Sequence, residues 1–274
     1  MSWLKRWLKN IFYSTGNAPV LDRIIFQWSQ LKYGPANKRY RNNHPEITLP
    51  PVYYLYETYI PDYEKYIEDG LVAAKEILEW TGAYRQHESE NILEWGCGVS
   101  RIVRHLPSLM PATANISACD INAGMIEWNK LHIPAVQYST IGHQPPTHYN
   151  DEQFSLVYAI SVFTNIEGKE HLAWIKEIHR VLSSGGVFLF TTHGENYAGQ
   201  LTQEEKKQLH LTGYYTRSYP HKGHRMMTSY NDANRFRAMA GDYFEVVEFH
   251  DGKKDPGRIG GQDLWILRKK LHGG

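Results

Sequence analysis

The chain has 274 residues, with 30 Lys and Arg against 29 Asp and Glu, and 42% of it is hydrophobic. That length is ample for one domain with a sizeable core plus additions, and the even charge balance excludes a protein drawn to nucleic acid or an acidic partner by a global field. Cys97 and Cys119 give neither a zinc spacing nor a disulfide framework, and in their apolar runs they read as reduced thiols of a cytosolic protein. No stretch approaches the about 20 apolar residues of a membrane span, and the N-terminus lacks the continuous apolar centre of a signal peptide. A cytoplasmic protein is expected.

The chain opens with "MSWLKRWLKNIF", where Trp3, Leu4, Trp7, Leu8, Ile11 and Phe12 recur at helical spacing and Lys5, Arg6 and Lys9 take the other side. Such a helix suits peripheral contact with the inner membrane face through residues 1–12, docking on the protein's own body, or a homodimer contact; amphipathicity mostly reports burial, which favours packing. From Tyr33 to Pro61 the density of Pro, Tyr and Asn predicts irregular, aromatic-rich structure, so residues 1–64 read as an extension. Ile67, Leu71, Ala74 and Leu78 then keep the three-four rhythm of a helix ending near Gly82.

Beyond it, "NILEW", "NISACD", "PAVQY", "FSLVYAI" and "GVFLFTT" read as strands alternating with helices, the pattern of a parallel sheet covered on both faces. The helix before the fifth strand places Leu172, Ile175, Ile178 and Leu182 on one face, with Gly185-Gly186 expected to close it. After Thr192 comes a polar, His- and Tyr-rich stretch, then a helix around Asn234 to Ala240 and the strands "YFEVVEF" and "DLWILRK". The loop between those strands is too short and too rich in Gly and Pro for a helical crossover, so they should pair antiparallel.

The run "ILEWGCGVSR" is a strand that ends at an acid and two glycines, and in an open parallel sheet ligands bind outside such carboxyl ends. Gly96 and Gly98 let the backbone approach a ligand, and a helix starting near Ser100 would present free amides and a positive dipole end to a carboxylate or phosphate. Asp120, at the end of "ISACD", stands where an acid accepts from ribose hydroxyls. A dinucleotide site wants a third glycine where Arg101 stands, and Glu94 would repel a pyrophosphate. An ammonium-bearing nucleoside, S-adenosylmethionine, fits better.

On Glu94, Gly96, Gly98 and Ser100, which match E/D-x-G-x-G-x-G except at the last position, the chain over about residues 65–270 resembles a class I S-adenosylmethionine-dependent methyltransferase. The runs "GCGVSRIVRHL", "FSLVYAISVFTNI", "WIKEIHRVLSSGGVFLFTTHG" and "GQDLWILRK" resemble a bacterial small-molecule subgroup. The resemblance implies an α/β fold: a doubly wound, mostly parallel seven-stranded Rossmann-like sheet with the last strand antiparallel. The methyltransferase domain would span residues 65–272, with a lid inserted at about 194–231. It further implies that Glu94 and the backbone of Gly96, Cys97 and Gly98 hold the amino acid half of the cofactor, that Asp120 holds the ribose, and that Ile121 lines the adenine. Tyr138 falls near the adenine amino group, and the strand end from Tyr158 and Ala159 to Ser161 should pass under the transferring methyl.

Arg101 is read as holding the cofactor carboxylate or bracing Glu94, and Arg104 as a surface charge. Methyl transfer to oxygen wants a base, and His193, just past the fifth strand, could take a proton near neutral pH; His224, in the inserted "HKGHR", is the alternative. Tyr53, Tyr54, Tyr56 and Tyr59 precede the core where such additions close over an acceptor. The acceptor expected is a small molecule, narrowly a sugar or glycolipid-linked hydroxyl; nucleic acid is not, because the basic residues form no stripe with aromatics. The rival reading is a non-catalytic regulatory or assembly protein that keeps the cofactor pocket.

Overall fold

A computed structural model describes residues 18–85, 90–218, 227–256 and 258–270. The described chain starts with three helices, α1 (Ala18–Asn43), α2 (Val52–Thr58) and α3 (Tyr63–Gly82). The basic segment of residues 1–12 lies outside the described residues. Irregular structure from Tyr33 onward, as the turn signals suggested, is not what forms: α1 continues through Gly34 and Pro35, and Tyr53, Tyr54 and Tyr56 belong to α2. Tertiary bonds outweigh the local signals. The Asn37 side-chain amide donates to the Pro61 carbonyl and its oxygen accepts from the Tyr63 amide, both at 2.9 Å; Arg41 donates to the Tyr63 hydroxyl at 2.7 Å, and the Tyr56 hydroxyl to Asp22 at 2.7 Å. The α3 helix ends at Gly82 as its periodicity predicts and begins with Asp62 accepting from the Lys65 amide.

From there β1 (Asn91–Trp95), α4 (Leu106–Leu109), β2 (Asn115–Asp120), α5 (Ala123–His132), β3 (Gln137–Thr140), β4 (Phe154–Ala159), α6 (His171–Val181) and β5 (Leu182–Thr192) alternate. After β5 come α7 (Glu195–Ala198), α8 (Gln203–Thr212), the ribbon β6 (Tyr214–Ser218) and β7 (Met227–Asn231), α9 (Ala233–Gly241), β8 (Phe244–His250) and β9 (Asp263–Lys269). Among the described residues the main sheet has seven strands in the order β3-β2-β1-β4-β5-β9-β8, parallel from β3 to β5, with β9 antiparallel to both neighbours. This is the doubly wound, Rossmann-like α/β sheet expected. Strand order reverses between β1 and β4, which defines the crevice where such sheets take ligands.

Both faces of the sheet are buried. Trp95, Phe163, Trp174, Phe188, Phe190 and Trp265 pack on one side, and Ile77, Ile92, Val103, Ile126, Leu156 and Leu189 on the other. Burial on both faces is why the central strands read as unbroken apolar runs rather than alternating ones. Two expectations about β5 need correcting. The α6 helix stops at Val181, with Leu182 already extended and paired with Phe154, so Gly185-Gly186 lies inside β5, where the register shifts and Gly185 takes φ 73°. Leu172 stands on the exposed side of α6, and Trp174, Ile175, Ile178 and Val181 form its buried face with His171.

The insertion after β5 is more ordered than its polar composition suggested. Thr202 and Glu205 form a reciprocal capping box at the start of α8, and the β6–β7 ribbon packs against the turns that follow β4. There the Ser229 hydroxyl donates to the Ile166 carbonyl, and the Gly168 amide to the Thr216 hydroxyl at 3.1 Å.

Candidate cofactor and acceptor site

The loop after β1 is built on alternating left-handed residues: Gly96, Gly98 and Ser100 have φ of 80°, 51° and 62°. Such alternation curls successive amides into a concavity of anion-binding type. Here the chain itself fills it. The Gly96 and Cys97 amides donate to the Cys119 carbonyl at 2.8 and 3.0 Å, the Ser100 amide to the Cys97 carbonyl at 2.8 Å, and the Gly98 amide to Asp120 at 2.8 Å. The helix expected to start near Ser100, with free amides for a ligand, does not form. Turns lead to a 3-10 turn at Val103–His105 and the single-turn α4, and the Val103 amide donates to the Glu94 carboxylate at 3.0 Å.

Ser100 is the third left-handed position, which explains why this motif favours glycine there. A non-glycine residue costs about 1–2 kcal/mol in that conformation. Its buried hydroxyl donates to the Tyr138 hydroxyl at 2.8 Å. Ser100→Ala keeps the backbone cost and loses the bond, so it should lower unfolding free energy by about 1–2 kcal/mol, while Ser100→Gly should stay within about 1 kcal/mol of the parent. Urea unfolding measures both. An alanine variant as stable as the parent would show that the bond contributes nothing.

Parallel pairing sets Glu94 level with Ala118 on β2 and Tyr158 on β4. Glu94 is buried, and burial pushes its carboxyl up to about 8, against the Val103 amide and the Arg101 charge that favour ionisation. The Tyr158 hydroxyl is buried on the same level and, facing Glu94, also favours its ionised form. Asp120 ends β2 with both oxygens engaged, one by Gly98 and the other by the Asn122 amide at 2.8 Å; burial raises its carboxyl and those amides oppose the rise. Beside it Ile121 exposes 43% of its surface. Tyr138 is different: its side chain is buried in the core, where its hydroxyl accepts from Ser100. Cys97 and Ala159 are likewise buried, which leaves Cys97 only its backbone to offer.

The aromatic extension covers this loop, a placement that composition did not reveal. A Cβ built on Gly98 would come within 2.8 Å of Thr58 Cγ2, one on Gly124 within 3.1 Å of the Tyr54 hydroxyl, and one on Gly96 within 2.4 Å of Val162 Cγ2. The Arg101 guanidinium stacks on Tyr59, 4.3 Å from the ring centre. Arg104 is not the surface charge expected: it donates to the Tyr66 hydroxyl at 2.8 Å and the Thr48 carbonyl at 2.9 Å, tying α3 and the extension to the loop.

Across the crevice, Ser161 closes β4 at φ 61°; its amide donates to the Thr191 hydroxyl and its own hydroxyl accepts from the Gln262 amide, both at 2.8 Å. Its carbonyl accepts from the Thr164 hydroxyl at 2.6 Å and the Asn165 side-chain amide at 2.8 Å, and a non-glycine residue held left-handed at a strand end by four such bonds is characteristic of functional edges. His193 bridges to Tyr230 in β7 and stacks on Tyr197 at 4.0 Å between centroids. Burial lowers its imidazole to about 4, opposed by a bond to the Ser229 backbone, so it is neutral and weakly basic rather than poised near pH 7 as expected. Its Nδ1, both polar atoms of the Asn231 side chain and Gln262 Oε1 are buried without partners. Asn231 and Gln262 escaped the sequence reading because they carry no motif; only the fold brings them to the ends of β4 and β5. His224 lies outside the described residues.

Residues 93–190 match the family model of the methyltransferase domain. The fold is shared with a SAM-dependent methyltransferase of Methanosarcina mazei, at 19% identity and TM-score 0.54 over 70% of this chain and 98% of that one. It is also shared with an S-adenosylmethionine-dependent methyltransferase of Mesorhizobium loti, at 14% identity and TM-score 0.52 over 73% and 100%. A third is the Burkholderia thailandensis 1,6-didemethyltoxoflavin-N1-methyltransferase with bound S-adenosylhomocysteine, at 11% identity and TM-score 0.52 over 74% and 79%. Residues 93–190 thus match a methyltransferase domain, and the chain shares the fold of these S-adenosylmethionine-dependent methyltransferases.

Proposed function

We propose that this chain binds S-adenosylmethionine along the β1–β2 edge and transfers its methyl group to a small-molecule acceptor, most narrowly a sugar or lipid-linked sugar hydroxyl. The observation that carries the reading is Asp120, fixed by the Gly98 and Asn122 amides at the end of β2 with lone pairs left over for a ribose diol. The other residues fit the remaining parts of that cofactor. Buried Glu94 suits the ammonium, Arg101 the carboxylate, and exposed Ile121 the adenine face. When bound, the sulfonium supplies a methyl group already activated for displacement.

The chain's own task is then to hold an acceptor in line, which proximity and orientation accomplish. Unpartnered amide atoms of Asn231 and Gln262 offer hydrogen bonds at the end of β4 and β5, and the Tyr53–Tyr59 segment supplies aromatic cover. His193, with its low proton affinity, orients an acceptor better than it deprotonates one.

Glu94 makes the binding reading testable through protons. Its carboxyl is raised from 4.5 to about 8, so between those values the folded protein holds a proton that the unfolded chain has released, and its contribution to stability is lost as pH rises through that window. An ammonium ligand favours the carboxylate. Binding of S-adenosylmethionine at pH 7 should therefore release close to one proton, and affinity should rise with pH and level off near 8. Titration calorimetry in buffers of different ionisation enthalpy reads this, and Glu94→Gln should abolish the release. Folded protein that binds no S-adenosylmethionine would end the reading. Binding without transfer of a labelled methyl group to any glycan or glycolipid hydroxyl would favour the non-catalytic protein.

A further inference from the structure

The outer face of α1 takes no part in the methyltransferase site. Its inner face, with Asp22, Phe26, Tyr33, Asn37 and Tyr40, turns toward α2 and α3, fixed by the Asp22–Tyr56 and Asn37–Tyr63 bonds. The opposite face is apolar and open: Val20 is 53% exposed, Ile24 40%, Trp28 70% and Leu31 73%. At 3.6 residues per turn these four fall within an arc of about 80°. Ile25, 40% exposed, widens the patch.

Charge decides what such a face meets. Residues 1–45 hold eight Lys and Arg and one acid, Asp22, which the Tyr56 hydroxyl engages; the whole chain is only +1, so the remainder carries a net excess of acids. Arg23, Lys32, Lys38 and Arg39 are exposed around the apolar arc, and no acid lies on it. A second copy would bring like charges together. An anionic bilayer satisfies both the apolar arc and its basic rim. The preceding sequence, Trp3, Leu4, Trp7 and Leu8 among Lys5, Arg6 and Lys9, has the same chemistry.

We infer that the outer face of α1 docks this protein on an anionic lipid surface. The inference stands apart from methyl transfer and is tested without it. Through Tyr56 and Thr58, α2 links the docked helix to the Gly98 loop, so a bound protein would hold its cofactor edge close to lipid-linked acceptors.

Full-length protein is sedimented with vesicles of phosphatidylcholine alone or mixed with phosphatidylglycerol, and thermal melting serves as the fold control. The expected result is binding to the mixed vesicles that weakens with salt, falls about tenfold or more in Trp28→Ser/Leu31→Ser and in Lys38→Glu/Arg39→Glu, and survives in part when residues 1–16 are deleted. Absent binding, equal binding to both vesicles, or full binding by a folded Trp28→Ser/Leu31→Ser variant overturns the inference. A dimer by light scattering that dissociates in that variant would instead assign the face to a second copy.

Discussion

Asp120→Ala is expected to weaken S-adenosylmethionine binding by about 100-fold or more while leaving a folded protein. The carboxylate does two jobs at once. It accepts the Gly98 and Asn122 amides at 2.8 Å each, and in the proposed function it also accepts from the ribose hydroxyls. Hydrogen bonds to a charged group contribute about 1.5–3 kcal/mol, so losing both amide contacts should lower unfolding free energy by about 2–4 kcal/mol once the relieved burial of the carboxylate is set against them. The Gly96–Ser100 concavity then loses one of the groups that fill it, with the Cys119 carbonyl still in place. Asp120→Asn keeps one acceptor oxygen and should fall between the two. Calorimetry and urea unfolding separate the effects: an alanine variant that binds the cofactor within about threefold of the parent would confine Asp120 to the loop and remove it from the ribose.

Phe163→Ala should cost about 3–5 kcal/mol of stability. Phe163 is fully buried in the turn after β4 and stands 5.0 Å from Phe190, 5.1 Å from His171, 5.3 Å from Phe236 and 5.4 Å from Trp95, centroid to centroid. Few of these rings can relax into the space, because they belong to strands and helices fixed by the sheet. The residue before it, Val162, sits against Gly96, so a slackened turn reaches the cofactor loop as well. Phe163→Leu should recover most of the loss. Scanning calorimetry is the measurement, with an expected fall of roughly 10 °C in Tm; a cost below about 1 kcal/mol would mean that the aromatic cluster collapses around the hole.

Most of the sheet was legible because its strands are apolar on both faces and end in glycine or acid. The runs "NILEW", "NISACD" and "DLWILRK" coincide with β1, β2 and β9, and the short Gly- and Pro-rich loop before β9 announced its antiparallel pairing. The extension is less legible for an opposite reason. Gly34 and Pro35 are genuine turn signals, but Asn37, Arg41 and Asp22 find partners on α2 and α3 that hold α1 helical through them. Likewise, Thr202 and Glu205 carried a capping-box spacing at the head of α8 that passed unnoticed within a polar stretch.

Residue type and spacing mark Glu94, Gly96, Gly98 and Asp120 as candidates, because a strand end, a left-handed turn and an acid at the end of the neighbouring strand leave a local signature. Local sequence also predicted the fold class. It did not reveal that the loop amides are consumed by Cys119 and Asp120, that the Tyr138 hydroxyl accepts from Ser100, or that burial makes His193 a weak base. Nor did it place Thr58 on Gly98, Asn231 beside His193 or Gln262 beside Ser161. Hydrogen-bond satisfaction and desolvation depend on which groups become neighbours through space, and those neighbours are tens of residues apart along the chain.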